Sequence, residues 1–235
     1  MLALINHTFP HEAEETLNRL GHRTLRLPPH PNLPEPVASH PDMLLFFAPN
    51  AILCTKSYYE IAARELEEIA SVYGFPLRLI EKEYGGVYPH DVLLNALPIG
   101  NRLFCNTKAV ADELLALCLQ PFHVNQGYTK CSALPLGKDA LITADASIAA
   151  SARNCGIDVL QICEGHISLS GYGYGFIGGC ASFAPRGGVN TVFFCGDVSR
   201  HPDYNQINGF FQEHGYSITN LSNNCLCDTG TIFMI

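Results

Sequence analysis

Asp228-Thr-Gly-Thr-Ile-Phe-Met-Ile235 is a short apolar run that opens on an acid, and four earlier runs are built alike. They are Asp42-Met-Leu-Leu-Phe-Phe47, Asp91-Val-Leu-Leu-Asn95, Cys131-Ser-Ala-Leu-Pro-Leu136 and Cys180-Ala-Ser-Phe183. Their starts lie 49, 40, 49 and 48 residues apart, a period that implies one supersecondary unit per interval.

The segments after the first four runs repeat as well. A turn signal comes first: Pro49-Asn50, Gly100-Asn101, Gly137-Lys138 or Gly187-Gly188. A second short apolar strand comes next, at Ile52 to Cys54, Arg102 to Cys105, Ala140 to Thr143 and Thr191 to Cys195. Ser57, Thr107, Asp145 and Asp197 then offer N-cap oxygens to helices, with the clearest helical period over Tyr58 to Tyr73 and shorter ones over Val110 to Leu119 and Ile148 to Arg153. A Gly or Pro break and a third strand complete each unit: Pro76 to Ile80, Phe122 to Asn125, Ile157 to Ile162 and Tyr216 to Leu221.

The N-terminal stretch supplies strand, helix and strand (Leu2 to Ile5, His11 to Leu20, His22 to Leu27) but no leading strand. The run from Asp228 to Ile235 is that missing strand. The prediction is a single α/β domain over residues 1–235, a five-bladed α/β propeller of five strand-strand-helix-strand repeats closed by the C-terminal strand, which leaves few sheet edges open. Two connectors interrupt the repeats. Pro28 to Pro41 carries six of the 15 prolines and is expected to run extended over the surface, across a site mouth; Ser170 to Gly179 is glycine-rich and permits tight turns.

Composition narrows the function classes. Apolar residues make up 47% and charged residues 15%, so the chain folds around a sizeable core. A net charge of −8 with 14 scattered Lys and Arg argues against a nucleic-acid surface. No stretch approaches the roughly 18 apolar residues of a membrane span, and the start lacks a basic, apolar leader, so a cytoplasmic protein away from membranes is expected. Most of the ten cysteines are read as reduced core thiols, as in Ile52-Leu53-Cys54, Leu103-Phe104-Cys105 and Phe193-Phe194-Cys195. Cys225 and Cys227 lack a second ligand pair, so no metal and no cofactor is expected.

Two motifs are set aside. Gly173-Tyr-Gly175-Phe-Ile-Gly178 fits the dinucleotide fingerprint by letter, but no helix pattern opens after it. His201-Pro-Asp203 sits at a helix opening, where Pro and Asp serve the first turn, and is assigned no chemistry. Lys56 and Lys108 are read as solvated.

If the five runs are equivalent strands about an axis, their first residues Asp42, Asp91, Cys131, Cys180 and Asp228 fall on one ring. Crowded carboxylates raise one another's pKa and destabilise the fold unless a cation relieves them. A planar guanidinium or amidinium, donating paired N–H bonds to two carboxylates, is the natural complement. A nearby thiolate can attack its carbon. Cys131 has Lys130 beside it, which lowers the thiol pKa if the side chains converge. The expected catalytic set is Cys131, Asp42, Asp91 and Asp228, with Lys130, His40 and Cys180 as substrate-binding residues; His90 is a lesser candidate because it adjoins Asp91.

These features resemble the pentein or guanidine-modifying-enzyme superfamily, which includes deiminases, dimethylarginine hydrolases and amidinotransferases. GYTKCSALPLGKDALITAD, GIDVLQICEGHISLSGYGYGFIGG and the closing CDTGTIF are similar to an uncharacterised bacterial family with that fold. The resemblance implies a Cys nucleophile in the last blade after a glycine run, a His base and two carboxylates on the guanidinium. Here the last-blade position is Asp228, Cys225 and Cys227 follow Asn223-Asn224, and the H-x-D pattern falls early, at His40-Pro41-Asp42. The function expected is therefore a guanidino- or amidino-compound hydrolase or transferase with a non-standard site. The alternative is a non-catalytic ring that binds a small cation or a protein partner, since ribosome anti-association factors share the ring fold.

Overall fold

In the computed structural model, which describes residues 1–186 and 189–235, the chain runs β1 (Leu2–Asn6), α1 (His11–Arg19), β2 (Arg23–Leu27), α2 (Pro41–Leu44), β3 (Phe46–Ala48), β4 (Ala51–Thr55), α3 (Lys56–Tyr73) and β5 (Leu77–Ile80). It continues through β6 (Leu97–Ile99), β7 (Arg102–Cys105), α4 (Asp112–Leu115), β8 (Gln120–His123), α5 (Thr129–Ser132), β9 (Ala133–Leu136), β10 (Ala140–Thr143), α6 (Ala146–Asn154) and β11 (Asp158–Gln161). The last elements are β12 (Ala181–Arg186), β13 (Val189–Phe194), α7 (Tyr204–Glu213), β14 (Tyr216–Asn220) and β15 (Phe233–Met234). The turn signal at Gly187-Gly188 lies outside the described residues.

The strands form five separate three-stranded sheets, each with one pattern: the middle strand pairs antiparallel with the first and parallel with the third. Thus β4 pairs antiparallel with β3 and parallel with β5. In the sheet of β15, β1 and β2, the pairing of Ala3 with Met234 and Leu4 with Phe233 brings the two ends of the chain into one unit, as the period predicted. Among the described residues no strand pairing joins one sheet to the next. Side-chain packing does so instead: Phe47 of β3 meets Phe233 of β15 at a ring separation of 4.8 Å. The middle strands β1, β4 and β10 are buried on both faces, which is why they read as unbroken apolar runs rather than alternating ones.

Local chemistry corrects several boundaries. Helix α3 is capped by Thr55, whose Oγ1 accepts from the Tyr58 N–H at 3.1 Å, not by Ser57. Asp145 caps α6 as expected, accepting from the Ile148 N–H at 2.8 Å. The helix expected over Val110 to Leu119 shrinks to Asp112–Leu115, and Thr107 caps nothing because its hydroxyl pairs with His123 Nδ1. Asp197 caps only a 3-10 turn, Val198–Arg200, and α7 begins after His201-Pro202-Asp203.

The repeat-start residues are not strand residues. Asp42 lies in α2 and Cys131 in α5, each one turn before its strand, while Asp91, Cys180 and Asp228 lie in the coil or turn that leads into the next. Among the described residues no helix is long and apolar enough to cross a membrane. All ten cysteines are unpaired, and only five are fully buried; Cys118, Cys163 and Cys225 are exposed, against the expectation of core thiols.

Candidate active site

The two connectors singled out in the sequence face each other across a cavity of about 200 Å³. Val37 of the proline-rich segment forms one wall, and Leu169 with Tyr172, Gly173, Tyr174 and Phe176 of the glycine-rich segment form the other. Tyr128, His40, Cys131 and Asp228 complete the lining. An apolar cavity with a few convergent polar groups is the usual form of a small-molecule site.

Glycines set how closely the backbone approaches the site. A Cβ on Gly179 would stand 1.9 Å from Asp228 Oδ1, and one on Gly230 would stand 2.1 Å from the His40 Cβ. The glycine-rich segment therefore serves close approach to Asp228 as well as turning. Asp228 accepts N–H bonds from Phe176 at 2.9 Å and Gly230 at 3.0 Å. No helix follows Gly178, so the dinucleotide fingerprint is spurious.

The thiol of Cys131 donates to Asp42 Oδ2 at 3.0 Å. Asn95, absent from the expected set, holds this turn in place. Its Oδ1 accepts from the N–H groups of Lys130 and Cys131, and its Nδ2 lies 3.1 Å from the sulfur. Thr231, also absent from that set, has φ of 65°, a genuine outlier for a β-branched residue. Its Oγ1 lies 2.7 Å from Asp42 Oδ2 and 2.9 Å from the Gly178 carbonyl, and it accepts from Lys130 Nζ at 3.0 Å. Both residues sit inside runs that define the repeat, Asp91 to Asn95 and Asp228 to Ile235. Position in the repeat is the signal that marks them.

His40 is 1% exposed, and neither ring nitrogen has a hydrogen-bond partner among the described residues. Its Nδ1 stands 3.9 Å from Asp228 Oδ1, too far for a hydrogen bond. Burial lowers the His40 pKa to about 4 against the opposing pull of Asp42, so the ring is neutral and this contact is not an ion pair. A ring nitrogen of His40, a carboxylate oxygen of Asp42 and the Cys131 sulfur lie within 4.8 Å of one another.

Burial, and then Asp42, raise the Asp228 pKa to about 7. Burial, Asp42 and Asp228 also hold the Cys131 thiol well above its ordinary range, so it is protonated at rest. Lys130 is half-buried and its ammonium donates to Thr231; burial lowers its pKa against the opposing pull of Asp42, Cys131 and Asp228.

Asp42, Cys131, Asp228, His40 and Lys130 thus converge, but not as equals. Asp42 and Lys130 do not line the cavity; they face a separate one of about 80 Å³. Asp91 stands behind the wall, where its Oδ2 accepts from the Tyr128 hydroxyl at 2.6 Å. Cys180 is turned away, donating to the Ile177 carbonyl at 3.2 Å within an apolar cluster, because its place in the repeat fixes its position and not its direction. His90 is exposed. Lys56 and Lys108 are exposed as expected.

Two sets of donors have the types that hold a metal ion: His40, Asp42 and Cys131, and, on the surface, Cys163, His201 and Asp203. The sequence showed neither, because each joins distant segments. In the second set His201-Pro202-Asp203 clamps two loops, with Asp203 Oδ2 accepting from the Cys163 N–H and the Asp203 N–H donating to His201 Nδ1.

Solved structures place the architecture. DDAH from Pseudomonas aeruginosa, a cysteine-to-serine variant complexed with citrulline, matches at a TM-score of 0.54 and 11% identity over 94% of this chain and 92% of that one. SxtG, an amidinotransferase from Microseira wollei in the saxitoxin biosynthetic pathway, matches at 0.50 and 11% over 97% and 93%. The chain shares with them a pentein-type α/β fold. Residues 4–233 match one family model, and the chain belongs to that family, described as a family of unknown function, DUF6873. No curated protein matches it in sequence.

Proposed function

We propose that the five sheets are the blades of one closed ring spanning residues 1–235, and that the cavity binds a guanidinium or amidinium group and cleaves one of its C–N bonds. The observation that carries this reading is the convergence of the Cys131 thiol, Asp42 and His40 within 4.8 Å at a cavity that Asp228 also lines. The fold shared with guanidine-modifying enzymes agrees with it but does not by itself assign an activity.

The site relieves its own crowded charge, with the Asp228 pKa raised to about 7, a neutral His40 and a neutral thiol bonded to Asp42. A bound cation reverses this balance. It favours ionised Asp228 and a thiolate, because a positive charge within a few ångströms stabilises both anions. His40 takes the thiol proton and the sulfur forms a bond to the central carbon. The C–N bond then breaks, and the leaving amine takes the proton from His40. Water attacks the resulting thiouronium, giving its proton to His40. The C–S bond then breaks, the departing sulfur takes that proton back to restore the Cys131 thiol and neutral His40, and the urea or amide product leaves. Asp42 acts through the thiol it holds, and Asp91 through Tyr128; both are positioning residues.

A cationic haloacetamidine tests this. At neutral pH it is expected to label Cys131 in preference to the exposed Cys118, Cys163 and Cys225, and Asp228→Asn is expected to remove that preference while the variant still unfolds cooperatively. Labelling spread over the exposed thiols with Cys131 untouched would falsify the assignment. The non-catalytic reading predicts instead that guanidines raise the melting temperature without being turned over.

A further inference from the structure

His40, Leu169 and Asp228 line two adjoining cavities, the 200 Å³ one above Cys131 and another of about 460 Å³. Among the described residues these two cavities share His40 and Asp228, so a guanidine whose carbon sits at Cys131 can extend its substituent into either. The first is walled by Val37, Leu169, Tyr172, Tyr174 and Phe176. The second adds Asn6, Thr8 and Glu35. The ionisable acids on these walls are Asp228 and Glu35, and none of the described lining residues of either cavity is a Lys or Arg. Lys130 faces the separate 80 Å³ cavity and donates to Thr231.

A carboxylate on the substituent would thus be desolvated beside the buried Asp228, or repelled by the exposed Glu35, with no cation among the described residues of either wall, whereas an alkyl, aromatic or amino substituent meets a matching wall. Resting on the guanidinium reading above, we infer that the substrate class is an alkyl, aryl or aminoalkyl guanidine or amidine that bears no carboxylate. Guanidino acids and guanidino amino acids are excluded.

Calorimetry on the full chain with two matched pairs, butylguanidine against 4-guanidinobutanoate and agmatine against arginine, isolates the carboxylate. Each uncharged-tail or amino-tail member is expected to bind about ten-fold or more tightly than its partner, since one unpaired buried charge outweighs that difference. Equal or tighter binding of the carboxylated members overturns the inference and leaves the guanidinium site standing; binding by none of the four overturns both. A second readout uses Tyr172→Ala, at an exposed wall residue. It is expected to weaken butylguanidine about three-fold or more while methylguanidine is unaffected. No change for butylguanidine, or equal loss for both, overturns the placement of the tail.

Discussion

Thr231 holds a backbone conformation that costs roughly 1 to 3 kcal/mol for a non-glycine residue, and three polar contacts at one oxygen keep it there. The strain puts that oxygen between the Lys130 ammonium and the Asp42 carboxylate, which in turn receives the Cys131 thiol. Asp42 also raises the thiol pKa, so its removal has a definite sign. Asp42→Asn is expected to speed alkylation of Cys131 by neutral iodoacetamide at pH 8 to 9, measured by peptide mapping, even as turnover of guanidines falls. The residues that touch the cavity are partly legible in the sequence. Cys131 and Asp228 stand out because a repeat fixes where its first residues go, and His40 because it lies two residues before Asp42. Tyr128 does not, since its place in the wall depends on a hydrogen bond to Asp91, 37 residues earlier in the chain. Cys180 misleads because repeat position says nothing about which way a thiol turns.

At the scale of elements, the second and third strands of each unit are legible to within about two residues because each is a short apolar run between turn residues. The leading strands are not: β3, β6 and β15 begin at Phe46, Leu97 and Phe233, four to six residues after Asp42, Asp91 and Asp228. Helices are less legible as well. Asp145 caps α6 as expected, but α4 is one turn long where ten residues fit a helical pattern, because packing and the Thr107–His123 contact override a weak local preference. Two substitutions separate local from tertiary support. Asp145→Ala removes one cap bond and is expected to cost about 1 kcal/mol in denaturant unfolding. Phe233→Ala removes a side chain of β15 that packs on Phe47 and lies 5.8 Å beneath the Lys130 ammonium. Because it is half-buried, a loss of about 2 to 3 kcal/mol is expected, near the lower end for large core deletions.

For the whole molecule, folding moves a proton from one buried group to another. His40, held at about 4, contributes stability that is complete above its ordinary pKa of 6.5 and is lost as pH falls towards 4. Asp228, held at about 7, contributes stability that is complete below its ordinary pKa of 3.8 and is lost as pH rises towards 7. Over roughly pH 4 to 6.5 the two slopes oppose each other, each with a limit of about 1.4 kcal/mol per pH unit. Relative to wild type, Asp228→Asn is expected to lose stability as pH falls across that window, and His40→Asn as pH rises across it, by urea unfolding at several pH values. Parallel difference curves for the two variants would contradict the assigned protonation states.

The central claim, that Cys131 is the nucleophile of a guanidinium site, is tested most directly by acid-quenching the enzyme during steady-state exposure to butylguanidine or agmatine and mapping its peptides by mass spectrometry. The expected result is a thiouronium adduct on the peptide carrying Cys131, absent in Asp228→Asn. Turnover that persists in Cys131→Ala, or an adduct carried only by another cysteine, would contradict it.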